Sequence, residues 1–334
     1  MSIASALSGK KFLVVGGAGF IGSHVVDQLL QQDVASVVIY DNFSRGRADN
    51  LERALQDPRC RIFELGGDVR DTDLLDQAMR GIDGVFHLAA LWLLHCHEYP
   101  ESAFEVNIRG TFDVIQAAIR NKVGRLVYSS SASVYGDAVQ LPMTEDHPYG
   151  NKTFYGATKI AGEHMLESLG ARYGLPWVGL RYMNVYGPRQ DYQGAYIAVM
   201  HKILDRLEAG ERPVVFGDGS QCYDFVSVED VARANLCAMA SSVTRGCYNV
   251  GRGIGTSIKE LTEILIRLSG ISAEIKYEPA GLTFVTSRVG CPEAAARDLG
   301  FRWTIELEAG LQALIDWRRQ HSREVAARRL KGGA

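Results

Sequence analysis

Tyr155 and Lys159 stand four residues apart within a run, 153–173, that reads as a helix, so their side chains share one face. A free tyrosine titrates near pH ~10, too high to accept a proton at neutrality. A neighbouring ammonium, or the cation of an oxidised nicotinamide, favours the phenolate and brings that value toward the range where a general base works. The same spacing also occurs on exposed helix faces. A second feature gives it meaning. Gly17-x-Gly19-x-x-Gly22, with Gly16 before it, follows the apolar run 12–15 and opens a helical run, 20–30. There the glycines permit a tight turn, let a pyrophosphate approach the backbone and let helix and strand pack closely. The helix start at Phe20 and Ile21 offers N–H groups and positive dipole to phosphates. A plain turn between strand and helix is the simpler alternative. Ser131 closes the serine run 129–131 at the end of a further strand, from which its hydroxyl could donate to a substrate oxygen while Tyr155 takes the proton. Serines there are also ordinary turn residues. Together these motifs imply a hydride-transferring nicotinamide site.

Asp41 ends the second strand nineteen residues past Gly22, where an acid would hydrogen-bond the adenosine ribose. A 2′-phosphate would face that carboxylate, so NAD is expected rather than NADP; Arg45 and Arg47 in the following loop argue the other way. Asp68 and Val69, after the third strand, are candidates for the adenine edge, while Asp71 or Thr72 fits a helix cap.

The elements that must position these residues follow from the apolar pattern. Runs 12–15, 37–40, 61–65, 84–88, 125–129 and 178–182 read as strands separated by helical segments. Such alternation predicts an α/β fold, a doubly wound parallel (Rossmann) sheet with helices on both faces and ligands at the carboxyl ends of its strands. After residue 188 the rhythm breaks into short elements and glycine turns. We expect residues 1–185, with a contribution from about 226–255, to form the dinucleotide domain, and 186–225 with 256–334 to form a smaller C-terminal α/β substrate lobe.

The 334 residues, 46% of them apolar, can bury a large core. A formal net charge of −3 lacks the field that nucleic-acid binding needs. Six cysteines show no paired spacing for zinc or a disulfide framework and read as reduced thiols of a cytoplasmic protein; no metal site is expected. No signal peptide or membrane-length apolar run is visible. The tail from Arg318 carries six Lys or Arg residues and reads as an exposed helix end that frays.

In order along the chain, Gly16 to Gly22, Asp41-Asn42, Asp68 to Asp71, His87-Leu88-Ala89-Ala90, Asn107, Ser129 to Gly136, Tyr155-x-x-x-Lys159, Arg181 to Pro188 and Gly217 to Gln221 resemble the extended short-chain dehydrogenases, and among them the nucleotide-sugar epimerases and dehydratases. The resemblance implies bound NAD, held by the glycine loop, Asp41, Asn42, Asp68, Val69, Leu88, Ala89, Ala90, Asn107 and Tyr182 together with Tyr155 and Lys159. It implies oxidation of a sugar C4 hydroxyl by Tyr155 as base with Ser131 steadying the oxygen, and a homodimer packed through helices that include the one carrying Tyr155. Asn184 would donate to the substrate diphosphate.

Dehydratases of this kind carry an Asp-Glu pair after the serine, where this chain has Ala132 and Ser133, and the decarboxylating relatives carry a Glu at the position of Ser133. By subtraction epimerisation at C4 leads, with a 4,6-dehydratase, a decarboxylase or a net 4-keto reductase of the same family as the alternatives. An arginine that usually precedes Asp224-Phe225 is replaced by Tyr223, so Arg288 or Arg189 is expected to supply the charge for the diphosphate. The bulky segment 91–97 is expected to face the sugar.

Overall fold

Phe12 and Val14 of strand β1 (Lys11–Val15) face one apolar layer, Leu13 and Val15 the other, and all four are wholly buried. This period-two division marks a central strand covered on both sides. The computed structural model describes residues 2–190, 199–280, 285–322 and 325. The further strands are β2 (Ser36–Tyr40), β3 (Cys60–Ile62), β4 (Gly84–His87), β5 (Arg125–Ser131), β6 (Trp177–Tyr182), β7 (Asn184–Tyr186), β8 (Val214–Phe216), β9 (Cys222–Ser227), β10 (Cys247–Val250), β11 (Gly255–Ser257), β12 (Lys276–Glu278) and β13 (Ser287–Arg288). The helices are α1 (Ile3–Leu7), α2 (Phe20–Leu30), α3 (Thr72–Met79), α4 (Leu93–Glu98), α5 (Pro100–Ala103), α6 (Thr111–Arg120), α7 (Phe154–Tyr173), α8 (Val199–Glu208), α9 (Val228–Ala240), α10 (Ile258–Ser269) and α11 (Leu307–Gln320).

Among the described residues, seven strands form a parallel sheet in the order β10-β6-β5-β4-β1-β2-β3. Helices α2 and α9 cover one face, and α3, α6 and α7 the other. The ladder sets Val15 beside Tyr40 and His87, and Ser131 beside Tyr182, so the loops that follow these strands open at one edge of the sheet. The doubly wound fold read from the apolar pattern is the one observed. Two details differ. The third strand stops at Ile62 rather than 65, because the chain turns away through Gly66 (φ +140°) and leaves Leu65 exposed. The seventh strand, β10, is short and was not singled out in the sequence.

Helix α7 starts where the Thr153 hydroxyl accepts the Gly156 N–H at 3.1 Å and stops at Gly174 in the left-handed region (φ +70°). Outside the sheet, α8, α10 and α11 pack with β9 around Met200, Leu204, Phe225, Leu261 and Leu311. Arg318 corrects the reading of a frayed end: it is buried and ion-paired to Asp205 at 2.6 Å and Glu208 at 2.8 Å. Residues 323–324 and 326–334, the rest of that basic tail apart from Arg319, lie outside the described residues.

Candidate active site

The glycine loop is shaped by contacts that exclude side chains. Gly16 takes φ +85°, and a Cβ there would stand 2.6 Å from the Ala89 nitrogen. A Cβ on Gly22 would run into the Gly16 carbonyl oxygen. No side chain caps the N-terminus of α2 at Gly19, so the N–H groups around Phe20 and Ile21 are not covered from within the loop. This cradle fits a pyrophosphate, which needs backbone donors and close approach.

Asp41 follows β2 and accepts the N–H groups of Ala18 at 2.8 Å and Phe43 at 2.9 Å; burial pushes its carboxyl up and these two bonds work against it. Asn42 accepts the Ser44 N–H at 3.1 Å. The two arginines that argued for a 2′-phosphate are engaged elsewhere, Arg47 with Asp49 at 2.9 Å and Arg45 over the Trp92 ring at 4.7 Å. Asp68 holds Arg70 through two bonds, at 2.9 and 2.6 Å, which keep its carboxyl below the ordinary range; Val69 is buried, and Asp71 is the cap of α3, accepting the Leu74 N–H. Leu88 and Ala89 donate to the Val15 carbonyl at 2.8 and 3.0 Å, which sets the strip ending at Ala90 beside Gly16.

Three of the candidate residues have partners within the protein. Asn107 is buried and holds Leu91 from both sides, accepting its N–H at 2.7 Å and donating to its carbonyl at 2.9 Å, with Thr158 at 3.2 Å. It therefore ties the loop after β4 to α7. The Tyr182 hydroxyl is bonded to Ser129 at 3.0 Å and Asn235 at 3.1 Å within the core. Arg189 is paired with Asp27 of α2 at 2.8 Å.

Ser131, the last residue of β5, accepts the Ser133 N–H at 3.1 Å, and its hydroxyl lies 3.1 Å from that of Ser133; Ala132 between them is buried. Lys159 is buried, donates to the Ser129 carbonyl at 2.7 Å and stands 5.6 Å from the centre of the Tyr155 ring. Burial pushes the Tyr155 phenol up to about 12, the Cys96 thiol adds to this, and the Ser131 hydroxyl and Arg288 guanidinium work against it. Burial likewise brings Lys159 down to about 8. The expected direction at Tyr155 is thus reversed in the protein alone: Lys159 is pressed toward its neutral form, and the groups that oppose burial of the phenol are Ser131 and Arg288.

One turn beyond Lys159 lies a residue the sequence reading missed. Glu163 accepts from Ser130, from Tyr149 at 3.0 Å and from two nitrogens of Arg181. Its spacing from Lys159, again four residues, was the available signal.

On the opposite side, β13 runs beside β9 with Arg288 level with Tyr223. Arg288 reaches the Gly136 carbonyl at 3.5 Å, and the Tyr223 hydroxyl donates to Val285 at 2.6 Å. Asn184 opens β7, and its buried amide nitrogen finds no hydrogen-bond partner among the described residues. A buried donor left unmet costs free energy unless a ligand meets it. Within segment 91–97, Trp92 faces Arg45, Cys96 is buried against Asn107, and His95 packs on Tyr99 with ring centres 5.0 Å apart. No group of three potential metal ligands occurs among the described residues, and no described helix is long and apolar enough to cross a membrane.

Comparison with known proteins agrees with this geometry. A family model described as the NAD dependent epimerase/dehydratase family matches residues 12–251. UDP-glucose 4-epimerase of Mycolicibacterium smegmatis is 34% identical over 93% of this chain and 99% of its own length. UDP-N-acetylglucosamine 4-epimerase from Methanobrevibacter ruminantium, solved with UDP-N-acetylmuramic acid, superposes with a TM-score of 0.88 at 32% identity, covering 94% of this chain and 99% of its own. A dTDP-glucose 4,6-dehydratase of Actinoplanes is 30% identical over 92% of this chain and 98% of its own length. With a match over this much of both sequence and fold, the chain belongs to the NAD-dependent epimerase/dehydratase family, whose members include nucleotide-sugar epimerases, dehydratases and decarboxylases.

Proposed function

We propose that this chain catalyses NAD-dependent epimerisation at C4 of a nucleotide-activated hexose, N-acetylhexosamine or hexuronic acid, through a 4-keto sugar. The observation that carries the reading is the pair that follows Ser131 at the end of β5: Ala132 and Ser133, both buried and neither a carboxylate. Elimination of water from C5 and C6 needs an acid and a base beside the ketone. Ala132 and Ser133 offer neither, and Glu163 is locked to Arg181.

Bound at the glycine loop, oxidised NAD supplies a hydride acceptor and a positive charge beside the phenol. Tyr155 takes the C4 hydroxyl proton and later returns it. Ser131 holds the C4 oxygen in both states. Lys159 holds the nicotinamide ribose while anchored on Ser129. Asp41 takes the adenosine ribose hydroxyls, and Asn184 and Arg288 take the diphosphate, Asn184 gaining the acceptor it lacks. Sheet-borne residues thus form the dinucleotide part, and 186–225 with 256–334 the substrate lobe. A homodimer is part of the proposal; the exposed Tyr99, Phe104 and Phe112 along and before α6 support it.

Incubating the purified protein with UDP-glucose, UDP-N-acetylglucosamine and UDP-glucuronate tests the reading. An equilibrium mixture of two epimers of unchanged mass, with no NADH accumulating, is expected for at least one. A product lighter by water or carbon dioxide, or steady consumption of NADH, overturns it.

A further inference from the structure

Three loops are linked near the start of α2. In the sheet β1 lies between β2 and β4, so the loops after β2 and β4 flank the glycine loop. On one side the chain after Gly46 is fastened to Ala18, whose carbonyl accepts the Arg47 N–H at 3.0 Å and the Asn50 amide at 2.9 Å. A Cβ on Gly46 would stand 2.7 Å from that of Ala18. On the other side Leu88 and Ala89 bond the Val15 carbonyl, and Ala89 abuts Gly16. Adjacent strands are ~4.8 Å apart, so the tips of β2 and β4 are separated by roughly 10 Å, a gap that long side chains can span. Arg45 and Trp92 span it, with the guanidinium carbon 4.7 Å from the centre of the indole.

We propose that the Arg45–Trp92 pair is a clasp that closes over the dinucleotide pyrophosphate and retains the cofactor between turnovers. Its location is the argument. The contacts Gly16–Ala89, Trp92–Arg45 and Gly46–Ala18 link the glycine loop to the loops on either side of it, next to the uncapped helix start, the place in this fold where a pyrophosphate is held by backbone donors. The loop that carries it is preformed: Asp41 and Asn42 fix Phe43 and Ser44 through their N–H groups, and Phe43 adopts φ +56°. A reaction that returns its hydride within each cycle has no need to release the cofactor, and a closed clasp suits that need.

The inference rests on the NAD reading above, and its test separates the two. NAD released on denaturation is quantified for the wild type, Trp92→Ala, Trp92→Phe, Arg45→Ala and Arg45→Lys, and exchange of bound for labelled NAD is then timed. The two alanine variants are expected to exchange about tenfold faster or more, as loss of a shielded cation–π contact implies, with the phenylalanine and lysine variants between them and the wild type. Equal exchange rates in the wild type and both alanine variants overturn the clasp and leave the cofactor reading standing. A wild type that neither retains nor binds NAD overturns both.

Discussion

Glu163 and Arg181 form a buried two-bond ion pair, at 2.9 and 2.8 Å, one helical turn beyond Lys159 and one residue before Tyr182. Arg181 also donates to the Tyr135 hydroxyl at 2.8 Å, and Glu163 accepts from Ser130, so the pair joins α7 to β5 and β6 directly behind the catalytic strand end. Removing one partner strands the other charge away from water. Glu163→Gln should lower the unfolding free energy in urea by about 3–5 kcal/mol, whereas replacing both partners with Leu and Met should lower it less. Equal stability of Glu163→Gln and the wild type would contradict this.

Lys159 carries a pH signature. Its value is near 8 in the folded protein against 10.5 unperturbed, so between these the unfolded chain binds more protons at this site than the native one. Its contribution to stability therefore rises as pH increases from about 8 toward 10.5 and is flat below that window. Comparing urea denaturation of wild type and Lys159→Met isolates the site, since the raised Tyr155 acts in the opposite sense only above about pH 10 and is common to both. A wild-type advantage that shrinks between pH 8 and 10 is the contrary result.

Asn184 presents a buried donor with no partner among the described residues. Asn184→Ala should raise KM for the nucleotide sugar about tenfold to a hundredfold, the worth of one hydrogen bond to a charged group, with little loss of stability or bound NAD. A changed kcat at unchanged KM would place Asn184 at the reacting carbon instead.

Legibility of the sequence divides by distance along the chain. The β1-to-α2 turn was readable because strand, glycines and helix start are contiguous, and the spacing of Tyr155 and Lys159 because a helix converts four residues into one face. The cap at Asp71 was legible for the same local reason. What eluded the sequence depends on which distant groups meet. The bonds of the Asn107 amide to Leu91 and Thr158 are of this kind. Arg45 looked like a phosphate ligand for NADP until Trp92, from another loop, was found beneath it. The burial that pushes the Tyr155 phenol up is likewise the work of distant groups, which a four-residue spacing does not report.

Asp41 is the proposed determinant of cofactor choice. With its carboxylate fixed by two backbone N–H groups and Arg45 and Arg47 engaged elsewhere, the wild type should bind NADH more tightly than NADPH, and Asp41→Ser should narrow that gap by weakening NADH and easing repulsion of the 2′-phosphate. Fluorescence titration of both cofactors reads this, and tighter NADPH binding by the wild type would refute it.

The central claim is that Tyr155 and one nicotinamide share a single carbinol carbon. The direct measurement uses a nucleotide sugar carrying deuterium at C4, followed by NMR and mass spectrometry, with wild type and Tyr155→Phe at equal NAD content. The wild type should give the C4 epimer with deuterium still on C4, and the variant should be slower by about 10²–10⁴-fold. Deuterium lost to water, a product of changed mass, or full activity in Tyr155→Phe would contradict the account.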